Sequence, residues 1–233
     1  MDKKLGRIPM TTLTVAMAVV AYILRHMQLK TQMVDGRLLA EAGRGSLTWV
    51  CLIFGVLVLV RCIFLKKGTD LAIGSPAVSI LTLVAAFLMA MGSASLLREN
   101  TVLGLGGLAA AVCWVVVALQ RMQKMQPHAL CFMLPSLYYA VDLIINFRNW
   151  SRDPLIIDYC FELFALICIM CATFHLGGFS LKLGKRRRTA FFCLCGILFS
   201  AVSMAGADMM NMMSYLGAAL WLLSNLWLLL SEE

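Results

Sequence analysis

Apolar residues along this chain come in long unbroken blocks, and most of the charge sits in the short segments between them. The blocks fall at residues 8–24, 46–65, 77–97, 102–119, 130–147, 155–178, 189–207 and 214–230. A helix rises about 1.5 Å per residue, so blocks of this length match a hydrocarbon layer about 30 Å thick. They show neither the two-residue alternation of a half-buried strand nor the single apolar stripe of a surface helix. The pattern predicts an all-α polytopic membrane protein, about eight transmembrane helices in one bundle, with residues 1–233 forming a single membrane domain. Arg61 lies inside the second block, near enough to its end to snorkel.

Composition agrees with that reading and removes others. Of 233 residues, 61% are hydrophobic and 14% charged, leaving little material for a soluble core. The net charge of +8 comes without any zinc-finger, RNP or helix-turn-helix pattern, so nucleic acid is not an expected partner. The nine cysteines stand almost entirely inside apolar blocks, where Cys acts as a small hydrophobe rather than as part of a disulfide framework. The opening MDKKLGR resembles the basic start of a signal peptide, but the nearest A-x-A pattern, Ala40-Glu41-Ala42, lies beyond a charged stretch; the first block is therefore expected to be retained.

Orientation follows from the basic residues. With the N-terminus inside, 13 of the 20 Lys and Arg fall in inside segments and seven in outside ones. Without the first block as a span the balance is even, so the bias predicts eight crossings with both termini cytoplasmic, in the plasma membrane. The 25–45 connection carries four basic residues against this trend, and its Leu29, Met33, Leu38 and Leu39 are expected to lie along the outer interface. Short echoes between MGSA (91–94) and AGAD (205–208), and between GLAAAVCW (107–114) and GAALW (217–221), suggest a weak parallel duplication of residues 1–125 and 126–233. Gly104, Gly107 and Ala111 on the fourth helix, with Gly92 and Ala94 on the third, are expected at helix contacts, because close backbone approach is what drives association in lipid.

The candidate chemistry lies in Asp142 and in the stretch NFRNWSRDPLIIDYCFELF, 146–164, which adds Asp158 and Glu162 to membrane-depth sequence. A carboxylate in hydrocarbon costs about 2.5–3.5 kcal/mol even on the lenient insertion scale, so such groups face the bundle interior or a wet cavity. Helical rise puts Asp142 about 7–8 Å, Asp158 about 4–5 Å and Glu162 about 10–11 Å below the outer ends of their helices. Asn146 shares a face with Asp142; Tyr138 and Tyr159 offer hydroxyls; Arg148 and Arg152 can reach back from the loop; Asp208, with Asn211, emerges on the same side. Together these predict an outward-facing acidic vestibule with Arg at its lip, and Pro135 permits a kink beside it.

Two further features carry alternative chemistry. Cys168, Cys171 and His175 share a helix face, and Met209, Met210, Met212 and Met213 crowd one short connection, a ligand set suited to a soft metal such as Cu(I). The inner segment with Lys185, Arg186, Arg187 and Arg188 is suited to anionic lipid as well as to fixing topology. No HExxH, P-loop, GxSxG or dinucleotide fingerprint is present, no cofactor is implied, and an enzyme is the lesser expectation. The leading functional reading is transport of a small polar or cationic solute, or proton-coupled transport, through the acidic vestibule. A non-catalytic scaffold or accessory subunit, joining a protein partner or a second copy through small-residue faces and holding the carboxylates in ion pairs, is the alternative. A membrane enzyme acting on lipid ranks third.

Overall fold

The computed structural model describes residues 7–34, 37–38, 45–65, 68, 71, 75–151 and 159–231. Eight helices dominate it: α1 (Arg7–Gln32), α2 (Ser46–Phe64), α3 (Pro76–Glu99), α4 (Thr101–Met122), α5 (Leu130–Trp150), α6 (Cys160–Ser180), α7 (Arg186–Met204) and α8 (Met209–Leu230). All eight are long and apolar enough to cross a membrane. The fold is all-α, apart from a two-residue antiparallel pair, β1 (Met33–Val34) and β2 (Arg37–Leu38), with Met33 opposite Leu38.

α1 corrects the first boundary. It runs eight residues past the expected end at 24, because its buried positions Thr14, Ala18, Ala21, Arg25 and Gln28 continue one helical face. The expected interfacial segment is thereby shortened: Leu29 belongs to α1, Met33 and Leu38 to the strand pair, and Leu39 lies outside the described residues. α6 starts at Cys160, and Asp158 and Arg152 lie outside the described residues. The Met-rich stretch from Met209 onward is not a connection but the first turn of α8.

α3 packs closely on α4 and α8, while α6, α7 and α8 form the other half of the core with α5 against α6. α1 and α2 lie outside, on α7. Large apolar side chains such as Trp49, Phe64, Phe87, Val102 and Ile144 cover the outer faces, an arrangement that is stable against lipid and not against water. The α3–α8 seam depends on small residues: a methyl group on Gly217 would sit 2.8 Å from the Ala85 carbonyl oxygen. Gly104 meets the Leu97 backbone, Gly107 meets Ser93, and Gly92 meets Ser214. Ala111 is buried, whereas Ala94 is exposed and takes no part in the seam.

Candidate functional site: an acidic cavity above an aromatic plug

A cavity of about 480 Å³ opens between α3, α4, α5, α6 and α8. α5 contributes most of its chemistry, because its spacing puts Tyr138, Tyr139, Asp142 and Asn146 along the wall. The Asn146 amide donates to Asp142 Oδ1 at 2.7 Å, one helical turn away. Tyr138 and Tyr139 are 7% and 4% exposed, with ring centroids 5.0 Å apart in an edge-on arrangement. Tyr139 donates to Met89 Sδ at 3.8 Å. The Tyr138 hydroxyl has no hydrogen-bond partner among the described residues and lines the cavity. Its ring lies against Gly106 and Gly107 of α4, where a side chain at 106 would meet the ring at 2.9 Å. Two glycines therefore set how far the tyrosine can retract.

α6 supplies Glu162 in its first turn, and Asp142 and Glu162 are close enough to act on each other's charge. Arg25 of α1 is the cation that acts on Glu162; its guanidinium lies 5.1 Å over the Phe161 ring and donates to Gln28 Oε1 at 3.0 Å. Neither carboxylate forms an ion pair among the described residues. At the mouth, Glu99 ends α3, Asn100 caps α4 by accepting from the backbone N–H of Val102 at 3.1 Å, and Asp208 opens α8. Asn211, Ser214 and Tyr215 complete the α8 wall, and the Ser214 hydroxyl is buried without a partner. Four carboxylates thus line the cavity, and among its described lining residues there is no Lys or Arg.

The expected set is brought together in part. Tyr138, Asp142, Asn146, Glu162 and Asp208 meet in the one cavity. Tyr159 does not line it, stacking instead on Trp150 with centroids 5.1 Å apart. Arg148 is exposed and off the cavity wall, and among the described residues the arginine that acts on Glu162 is Arg25. Sequence reading assigned Arg25 to a loop; the signal that finds it is the three- and four-residue spacing of positions 14, 18, 21, 25 and 28. Glu99, Asn100, Ser214 and Tyr215 were also missed, because each lies on a helix or, for Asn100, at a helix cap where polar residues look incidental until α3, α5 and α8 are brought side by side.

Beyond the cavity floor the bundle is closed. α4 and α8 run in the same direction and do not pack backbone to backbone. Trp114 and Trp221 fill the gap, both fully buried and stacked with centroids 4.8 Å apart, and Phe132 tilts against Trp221 at 5.8 Å. Trp221 stands three residues past Ala218, a cavity residue, about 4.5 Å further along the axis. At the far end Arg121, which the charge pattern assigns to an exposed turn, is 2% exposed; its Nη2 donates to Asn225 Oδ1 at 2.6 Å. Arg121 Nη1 and both indole N–H groups are buried without partners.

The soft-metal set does not assemble. His175 Nδ1 is 2.7 Å from the Cys171 carbonyl oxygen and its ring packs on Phe192, while Met209 and Met210 stand exposed at the opposite end of the bundle. Among the described residues no three His, Cys, Asp or Glu side chains are grouped to hold a metal ion. In the basic segment, Arg186 is buried against Gly68 and Arg187 Nε donates to the Leu65 carbonyl at 2.7 Å, which leaves Lys185 and Arg188 as its exposed members. Comparison with known protein families, curated proteins and solved structures finds no match to this chain.

Proposed function

We propose that this membrane protein carries a small cationic solute, with or without a coupled proton, through the cavity between α3, α5, α6 and α8. The observation that supports the reading is that Asp142 and Glu162 meet in one half-open cavity without an ion pair among the described residues and with no Lys or Arg on its described wall. Such carboxylates are costly in a bundle; Arg25 acts on Glu162 from α1, and Asp142, with no such cation acting on it, is stabilised either by a proton or by a visiting cation. The scaffold alternative needs ion pairs to hold them, and neither forms one among the described residues.

The bias of basic residues orients the cavity outward in the plasma membrane, with the termini cytoplasmic. The Trp114–Trp221 plug and the Arg121–Asn225 bond then form the inner barrier. Three donors left unpaired there cost about 1–3 kcal/mol each, so admitting water at this end is energetically accessible, as a carrier that alternates its access requires. Lys185 and Arg188 sit at the level of anionic headgroups on the same side.

The test is flux into proteoliposomes containing the purified chain. Asp142→Asn or Glu162→Gln is expected to abolish uptake while leaving the protein folded. Unchanged uptake in both variants removes the carboxylates from the mechanism.

A further inference from the structure

We infer that the cavity takes an organic ammonium compound, an amine of small-molecule size, rather than a bare inorganic cation. The inference rests on the transport reading for its physiological meaning, but it concerns binding and is testable apart from flux. Size is the first ground. At about 480 Å³ the cavity falls in the range of small-molecule sites, roughly 300–1,000 Å³, and far exceeds a dehydrated metal ion. A metal ion also requires several ligands converging within bonding distance, and no such group exists among the described residues.

The lining is the second ground. Tyr138, Tyr139 and Tyr215 surround the carboxylates, and aromatic faces attract a desolvated ammonium beyond what the carboxylates supply. Gly106 and Gly107 hold the Tyr138 ring against the wall, with its hydroxyl unpartnered although the residue is more than nine-tenths buried. On a side chain otherwise this buried, the hydroxyl is left accessible only to what enters the cavity, and a ligand donor there would complete it. The Ser214 hydroxyl, by contrast, is turned into the α3–α8 seam against Gly92 and takes no part in the lining chemistry. An N–H-bearing cation satisfies the Tyr138 hydroxyl: its charge is met by Asp142 and Glu162, its N–H groups donate to hydroxyl and carboxylate oxygens, and its hydrocarbon part packs on Met89, Leu166 and the rings. Asn146 fixes Asp142 for this role by occupying one carboxylate oxygen and leaving the other free.

The experiment is calorimetric binding and thermal unfolding of the full chain in detergent. The probes are phenethylammonium, butylammonium and tetraethylammonium, with phenylacetate as the charge-inverted control and Na⁺ and Mg²⁺ as inorganic ones. At least one amine is expected to bind and to raise the unfolding temperature. Affinity should fall at least tenfold in Asp142→Asn and about three- to tenfold in Tyr138→Phe, while phenylacetate leaves the protein unchanged. Glu162→Gln, on a different helix, gives a second reading should Asp142→Asn fail to fold. Failure of every amine, equal binding of phenylacetate, or amine binding untouched by all three variants overturns the inference. Amine binding without flux supports it and overturns the transport reading; flux of Na⁺ without amine binding does the reverse.

Discussion

The side-chain amide of Asn146 holds Asp142 Oδ1 at 2.7 Å from one turn further along α5. That bond decides where the carboxylate points, because a helix fixes the two Cβ atoms on one face and the amide selects among the rotamers of Asp142. On the proposed transport reading, Asn146→Ala is expected to leave the bundle folded while raising the KM for a transported cation about tenfold. The figure corresponds to about 1.5 kcal/mol for a hydrogen bond to a charged group. Initial rates in proteoliposomes, with thermal unfolding as the control, check it; an unchanged KM would show that Asp142 needs no orienting partner.

The α3–α8 seam leaves no space at Gly217, where an added methyl would lie 2.8 Å from the Ala85 carbonyl oxygen and 3.0 Å from the Met89 amide nitrogen. Gly217→Val is expected to lower stability by about 1–3 kcal/mol or to block folding, since the obstacles are backbone atoms. Gly55→Ala, with nothing within 4 Å of the new carbon, is expected to be neutral or slightly stabilising through helix propensity. Midpoints of thermal unfolding in one detergent compare the two directly.

Asn225→Ala removes the 2.6 Å acceptor of a guanidinium that is almost fully buried. A loss of about 1.5–3 kcal/mol is expected. Arg121→Met in the same background should recover much of it, because the uncompensated charge goes with the arginine. Additive effects in the double variant would mean that the two side chains stabilise the bundle independently.

The helices themselves were legible in the hydropathy blocks because lipid requires each span to satisfy its own backbone hydrogen bonds, which ties length and apolarity to helix. Asp142, Asn146 and Glu162 were legible for the same reason: a carboxylate in such a block has few physical explanations. Arg25 and Arg121 were not. Both sit near the ends of their helices, where a charge count treats basic residues as solvent-facing, and their burial depends on which neighbour packs there. Arg121 is buried because Asn225 and Trp221 of α8 reach it across 104 and 100 residues of sequence. The cavity, likewise, is a property of how α3, α5 and α8 meet, which no single helix encodes.

Six cysteines (Cys51, Cys62, Cys113, Cys168, Cys193 and Cys195) are buried, and Cys131, Cys160 and Cys171 are half-buried. A polar maleimide is therefore expected to modify at most the last three in the folded protein, and all nine after denaturation. Rapid native modification of Cys193, which is wholly buried, would contradict the packing of α6 against α7.

The stacked indoles of Trp114 and Trp221 carry a further consequence for any cell that makes this protein. Those two rings and Phe132 fill space between α4 and α8 on the way from the cavity floor to the Arg121–Asn225 bond. Truncating both to Ala is expected to leave a void there, and on the transport reading a void that admits water would let protons pass along hydrogen-bonded files. The penalty of such a change would fall less on the fold than on the ion gradients of the host: a passive leak, visible as a collapsed membrane potential and slowed growth on expression. Bulk at these two positions is thus a matter of insulation.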